Sequence, residues 1–158
     1  MITVSRDVVW SALRAVAAVA FAGVVASCGG SGAPEEINGI SVPPVPDTTA
    51  NLATIAGVDL NGNGIRDDVD RVLATEFGQS ASAYQEASAY ARTQQAALSN
   101  PTQATIEAHV ALLRCVRDPQ KLADLKKVTV ANLDSPIRRR AYAQAFAGVV
   151  LSSAGCPQ

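Results

Sequence analysis

The chain has 158 residues, of which 48% are hydrophobic and 17% are charged, and its formal net charge at pH 7 is −1. Without an excess of basic side chains, the protein lacks the positive surface that binds a phosphate backbone, so we expect no nucleic-acid partner. One histidine and three cysteines leave few side chains for zinc binding or nucleophilic chemistry.

The first 27 residues have the order of charged and apolar residues that is typical of a secretory signal. Arg6 and Arg14 precede a run over residues 15–27 that contains only Ala, Val, Phe, Gly and Ser. A helix that crosses a bilayer needs about 20 apolar residues. This run is shorter, so residues 1–27 are interpreted as a signal peptide rather than a permanent membrane span.

The signal segment ends on Val25-Ala26-Ser27-Cys28. This tetrapeptide resembles the lipobox of bacterial lipoprotein precursors, in which a branched apolar residue and two small residues precede a cysteine. The resemblance implies that the Cys28 sulfur receives a diacylglycerol, that the chain is cut before Cys28, and that the lipid anchors it to a membrane. A glycine after the cysteine, here Gly29, resembles lipoproteins that are sorted to the outer membrane. The expected location is therefore the cell envelope, at the outer membrane and facing the periplasm or the surface. The alternative is a secretory signal cut after Ala20-Phe21-Ala22, which would leave Cys28 as a plain thiol.

Residues 28–50 are predicted to form a flexible linker behind the lipidated cysteine. Gly, Ser and Pro dominate this stretch, and four prolines keep the chain extended. The folded part is expected to begin near Asn51. It is predicted to be one domain, made of a loop and short helix over residues 51–78 and a helical bundle over residues 79–158.

Residues 59–70 read Asp-Leu-Asn-Gly-Asn-Gly-Ile-Arg-Asp-Asp-Val-Asp. Numbered from Asp59, oxygen-bearing side chains fall at positions 1, 3, 5, 9 and 12 and a glycine falls at position 6, which is the ligand pattern of a calcium loop. A hard cation prefers several oxygens, and a chain that curls around it offers alternate side chains, a sharp turn at glycine and one main-chain carbonyl. The predicted ligands are Asp59, Asn61, Asn63, the carbonyl of Ile65, Asp67 and Asp70.

This loop resembles the loops of thrombospondin type 3 repeats and is similar to dockerin and EF-hand loops. The resemblance covers residues 59–70 and the helix after them, and it implies that the chain binds one calcium ion through the six residues named above. Asp70 stands where an EF-hand has a longer bidentate Glu, and only three ligands are carboxylates, so the expected affinity is modest. The alternative is a metal-free run of Asx and glycine turns that caps a helix from Asp67 to Phe77, with Gly78 as its C-cap.

Four longer helices are predicted after residue 78. An Ala-rich stretch over residues 82–98 has apolar residues in helical phase, and three later dipeptides place an N-cap residue before a proline. No segment alternates as a strand, and the basic cluster at 138–140 is interpreted as a solvated helix face. The predicted fold class is therefore all-α: a small bundle of four longer helices plus the short helix after the calcium-type loop. The three predicted starts are Asn100-Pro101, Asp118-Pro119 and Ser135-Pro136, and the last helix is expected to end at Gly155.

If Cys28 carries the lipid, Cys115 and Cys156 remain to pair with each other. An oxidising envelope compartment would preserve a disulfide between them. The disulfide would stabilise the fold by roughly 4 kcal/mol, because it restricts the unfolded chain between Cys115 and Cys156. This bond would join the third helix from the end to the C-terminal segment. The alternative is two buried free thiols.

No catalytic constellation accompanies the calcium-type loop. The only histidine, His109, lies in a helical stretch without a nameable nucleophile beside it, and no glycine-rich phosphate loop follows a strand. We therefore expect a protein that is not an enzyme: a lipid-anchored envelope protein whose calcium-stabilised helical domain interacts with an envelope partner protein. The alternative is a small envelope hydrolase or ligand-binding lipoprotein with a cleft near Asp59–Asp70 or His109.

Overall fold

The computed structural model describes residues 35–150, so the signal segment, Cys28, Gly155 and Cys156 lie outside the described residues. In this range the chain forms a two-stranded hairpin followed by six helices, and 61% of it is helical. The prediction of a small all-α bundle is confirmed. The strands are β1 (Glu35–Ile37) and β2 (Ile40–Val42); the helices are α1 (Thr48–Leu52), α2 (Asp67–Phe77), α3 (Ala81–Ser99), α4 (Gln103–Arg114), α5 (Pro119–Asn132) and α6 (Pro136–Ala145).

The hairpin lies in the segment for which the sequence predicted a linker. Asn38, with φ 52°, and Gly39, with φ 77°, form its two-residue turn, and this Asn-Gly pair suits the left-handed conformation that tight hairpins require. The amide of Asn38 donates to the carbonyl of Ala74 in α2 at 2.9 Å, and Val42 is 1% exposed. The expectation that no segment forms a strand is therefore wrong for residues 35–42, because the turn and its docking on α2 order them.

Two of the three predicted helix starts are confirmed. Asp118 caps α5 by accepting from two main-chain N–H groups of the first turn, and Ser135 caps α6 by accepting from one. The third start is wrong, since Asn100 is the C-cap of α3 and α4 begins after Thr102. Thr102 and Thr105 form a reciprocal capping box. This box gives the main-chain N–H of Thr105 a partner and adds a second acceptor for the N–H of Thr102, which favours the later start.

Helix α3 is the centre of the bundle and packs against α2, α4, α5 and α6. Its buried residues Ala87, Tyr90 and Ala91 recur at helical spacing, and the two alanines allow neighbouring helices to approach closely. Helix α6 ends at Ala145, before the predicted end. The apolar core consists of Ile65, Val69, Leu73, Phe77, Ala87, Tyr90, Ala91, Leu125 and Val128.

Two arginines are buried between the segment that precedes α2 and the last two helices. Arg66 and Arg138 are both 0% exposed. Asp134 pairs with both, at 3.2 Å to Nη2 of Arg66 and at 2.8 Å to Nη1 of Arg138. Asp68 accepts from Nε and Nη2 of Arg66 at 2.9 and 3.0 Å. Arg138 also donates to three main-chain carbonyls of residues 51–55, so this polar cluster joins the segment around α1 to the last two helices.

The interpretation of residues 138–140 as a solvated face is wrong for Arg138, although Arg139 and Arg140 are exposed. Arg138 is buried because it donates to main-chain carbonyls of residues 51–55, a segment distant in the sequence that packs against it. Gly57 makes room for the cluster. A Cβ at Gly57 would lie 2.4 Å from Cδ of Arg66 and 2.8 Å from Nη2 of Arg138, and its φ is 68°. Glycine is therefore required at this position.

Candidate metal site

The calcium-type loop lies between α1 and α2, and its last two predicted ligands, Asp67 and Asp70, belong to the first turn of α2. Gly62, with φ 68°, and Gly64, with φ 82°, supply the left-handed turns that curl the chain. The main-chain N–H of Asp67 donates to the carbonyl of Val58 at 2.9 Å and closes the loop. Helix α2 spans the residues that were predicted for it.

The structure brings three of the predicted side-chain ligands, Asn61, Asn63 and Asp70, into direct contact inside this loop. The carboxylate of Asp59 accepts from the main-chain N–H groups of Asn63 and Gly64 at 3.2 and 2.9 Å. The amide nitrogens of Asn61 and Asn63 donate to Oδ2 of Asp70 at 3.1 and 2.8 Å. Side chains from positions 3, 5 and 12 are therefore in direct contact, and Asp59 at position 1 is held against the main chain of the same loop.

Asp67 and Asp70 are buried carboxylates with unsatisfied oxygens. They are 0% and 2% exposed. Oδ1 of Asp67 accepts from the N–H of Leu60 at 2.9 Å, but Oδ2 of Asp67 and Oδ1 of Asp70 have no hydrogen-bond partner. Burial raises the pKa of both carboxyls, and the negative charge of Asp59 raises the pKa of each further. Buried carboxylate oxygens without partners are costly, and a cation between them would remove that cost.

A cation would fit these residues through mixed oxygen ligands rather than through a cluster of carboxylates. Within residues 35–150, no three His, Cys, Asp or Glu side chains are arranged to hold a metal ion by themselves. The three carboxylates of the predicted set, Asp59, Asp67 and Asp70, therefore do not form such a group in this structure. The other half of the set consists of two asparagine amides and the carbonyl of Ile65, which calcium accepts. Asn61 and Asn63 turn their amide nitrogens toward Asp70, so they would have to present their oxygens to serve as ligands.

Two surface cavities flank the loop. A cavity of about 410 Å³ lies between the loop and α3, and its lining includes Asp59, Gly64 and Arg92. A cavity of about 240 Å³ lies between the loop and the end of the hairpin, and its lining includes Leu60 and Asn61. The larger cavity is in the size range of small-ligand sites.

His109 is a packed residue of the core. It is 0% exposed, and its ring lies 4.7 Å from the ring of Tyr90 and 5.3 Å from that of Phe146, measured between centroids. Nδ1 lies 3.2 Å from the hydroxyl of Thr93. Burial lowers the pKa of His109 to about 4, so the ring is neutral at pH 7. It lines neither of the cavities beside the loop.

One of the three cysteines, Cys115, lies within the described residues. Cys115 is the C-cap of α4, whereas Cys28 and Cys156 lie outside the described residues. Lipidation of Cys28 and pairing of Cys115 with Cys156 therefore stay predictions. None of the helices within residues 35–150 is long and apolar enough to cross a membrane.

Comparison with known proteins adds no relative from which a role could be transferred. The chain matches no protein-family description, and no curated protein or solved structure is significantly similar to it.

Proposed function

We propose that this chain is a non-catalytic, lipid-anchored protein of the bacterial cell envelope. One calcium ion bound by residues 59–70 stabilises its helical domain for interaction with an envelope partner. The observation that supports calcium is the pair of buried oxygens, Oδ2 of Asp67 and Oδ1 of Asp70, that have no hydrogen-bond partner. A hard divalent cation prefers such oxygens and would neutralise carboxylates that now repel one another.

The ion would stabilise more of the domain than the loop itself. Arg66 lies between two predicted ligands, Ile65 and Asp67, and donates to the carbonyls of Ala131 and Asn132 at the end of α5, both at 3.1 Å. Fixing the main chain on either side of Arg66 therefore fixes the guanidinium that holds the junction of α5 and α6. Calcium binding and the packing of the last two helices should stabilise each other.

The lipid anchor rests on the motif Val25–Cys28. Strand β1 begins at Glu35, seven residues after Cys28, which is at most about 25 Å of extended chain. A domain on so short a tether would remain close to the membrane. We therefore expect its partner to be a protein of the same membrane surface.

Calorimetric calcium titration of the purified, metal-free protein tests the ion site. We expect one ion per chain with a Kd on the order of 0.1–1 mM, the range of extracellular calcium modules. Asp59→Ala should abolish binding, whereas Glu107→Ala, which removes an exposed carboxylate of α4, should bind as the parent does. Calcium at ten times Kd should stabilise the parent by about 1.4 kcal/mol. Absence of binding would leave the metal-free capping turn as the explanation of the loop.

Fatty-acid labelling tests the anchor. Bacteria that express the chain and grow on a radiolabelled fatty acid should label the parent and Cys115→Ser, but not Cys28→Ser. An unlabelled parent would favour the plain secretory signal, and a labelled Cys28→Ser variant would place the acylation elsewhere.

A further inference from the structure

Helix α3 supports the calcium-type loop from outside through Arg92. Nε of Arg92 donates to the main-chain carbonyl of Asn63 at 2.8 Å. Its methylene groups lie beside the turn, since a Cβ added at Gly64 would be 3.3 Å from Cγ of Arg92. Arg92 is exposed and forms no ion pair with any of residues 35–150.

The carbonyl of Asn63 and the N–H of Gly64 belong to the same peptide group, and both of its polar ends are held. The N–H donates to Oδ2 of Asp59 at 2.9 Å on the inside of the loop, and the carbonyl accepts from Arg92 on the outside. A peptide plane that is fixed at one end is oriented at the other. A charged donor on the carbonyl also polarises the group and strengthens the hydrogen bond that the N–H makes.

We propose that Arg92 is a positioning residue of the ion site and that it acts through this peptide to orient the carboxylate of Asp59. The inference rests on the proposed calcium site, since it assigns a function to Arg92 only if Asp59 binds the ion. The positive charge of Arg92 acts in the opposite direction, because it repels a cation. The sign of the change in affinity on removal of Arg92 therefore shows which effect is larger.

Titration of full-length chains with calcium, and with terbium as a luminescent ion of similar size, measures the effect. Arg92→Met removes the donor and the charge while keeping an unbranched stem against Gly64. We expect its affinity for both ions to fall about two- to tenfold, the effect of one hydrogen bond. Arg92→Lys keeps a charged donor and should recover at least half of that loss on a logarithmic scale. Arg140→Met, at an exposed arginine of α6, should bind as the parent does.

A double-mutant cycle with Asp59→Asn separates positioning from a general effect on the loop. Unlike Asp59→Ala, Asp59→Asn keeps an oxygen that can accept from the N–H of Gly64 and should weaken binding without abolishing it. If Arg92 acts through the carboxylate of Asp59, Arg92→Met should cause a smaller loss in the Asp59→Asn background than in the parent. The same loss in both backgrounds, or an unchanged or higher affinity of Arg92→Met alone, would overturn the inference while leaving the calcium site intact. A parent that binds neither ion would remove the proposed function and this inference together.

Discussion

Replacing Arg138 with methionine tests whether the buried arginine cluster holds the fold together. Methionine keeps an unbranched apolar stem and removes the guanidinium with all of its hydrogen bonds. Arg138 donates to the carbonyl of Ile55 at 3.1 Å, to that of Thr54 at 3.0 Å and to that of Asn51, and it pairs with Asp134 at 2.8 Å. The variant would leave three carbonyls and one carboxylate oxygen without this donor.

The expected cost follows from these contacts. Each buried polar group that loses its partner costs about 1–3 kcal/mol, and breaking a buried ion pair costs about 3–5 kcal/mol. Asp134 retains its contact with Arg66 and is partly exposed, as is Thr54, so water recovers part of the loss. We therefore expect Arg138→Met to lower the free energy of unfolding by about 4 kcal/mol, a large fraction of the stability of a small domain.

Urea unfolding in the presence of a chelator measures this cost without any contribution from calcium. With a slope of about 2 kcal/mol per molar urea, the midpoint should fall by about 2 M in Arg138→Met. Arg140→Met makes the same chemical change two residues away on the exposed side of α6 and should shift the free energy of unfolding by less than about 0.5 kcal/mol. Similar small shifts in both variants would refute the structural role assigned to Arg138.

Three further predictions concern the fold, and all can be checked by the same unfolding measurements. Gly39→Ala places a side chain at positive φ with no atom within 4 Å, and it should lower the free energy of unfolding by about 1–2 kcal/mol. Gly57→Ala should lower it clearly more, because the added Cβ would clash with the arginine cluster. Equal losses in the two variants would contradict that clash. Because burial lowers the pKa of His109 from 6.5 to about 4, the unfolded chain takes up the proton first as pH falls. Stability should therefore be retained above pH 6.5 and decline by about 3 kcal/mol at pH 4; a decline of the same size in His109→Leu would rule out this residue as its cause. Asp118→Ala should cost about 0.5–2 kcal/mol as the loss of an N-cap, whereas Asn100→Ala should cost much less, and the reverse order would contradict the observed caps.

Helix starts could be predicted where the deciding contacts are local. Asp118 and Ser135 cap the helices that directly follow them, so the dipeptide before each helix contains the relevant chemistry. Asn100 also precedes a proline, but Thr102 lies two residues later and forms a reciprocal box with Thr105. Competition between neighbouring caps is decided by the whole turn, and a single dipeptide does not contain that information.

The contact of Asn61 and Asn63 with Asp70 could also be predicted, since the spacing of these residues places their side chains on the inside of the loop. The supports of the loop could not. Arg66 occupies a position in the loop that carries no ligand, and the main-chain carbonyls that accept from it are 65 and 66 residues away. Arg92 reaches the loop only because α3 packs beside it with one particular rotation. Such contacts depend on tertiary packing, which a local pattern does not contain.

The arginine cluster also bears on when, during its synthesis, the chain would become able to bind a cation. Arg138 and Asn51 are separated by 87 residues, and a chain that is synthesised from its N-terminus has its loop residues available long before α6. A nascent fragment ending before Asp134 would contain every predicted ligand. It would lack the carboxylate that pairs with Arg66 in the loop and the guanidinium of Arg138 that holds residues 51–55. Full affinity for a cation would then be acquired only on completion of the chain, and truncated products would be distinguishable from finished ones by their weak retention of the ion.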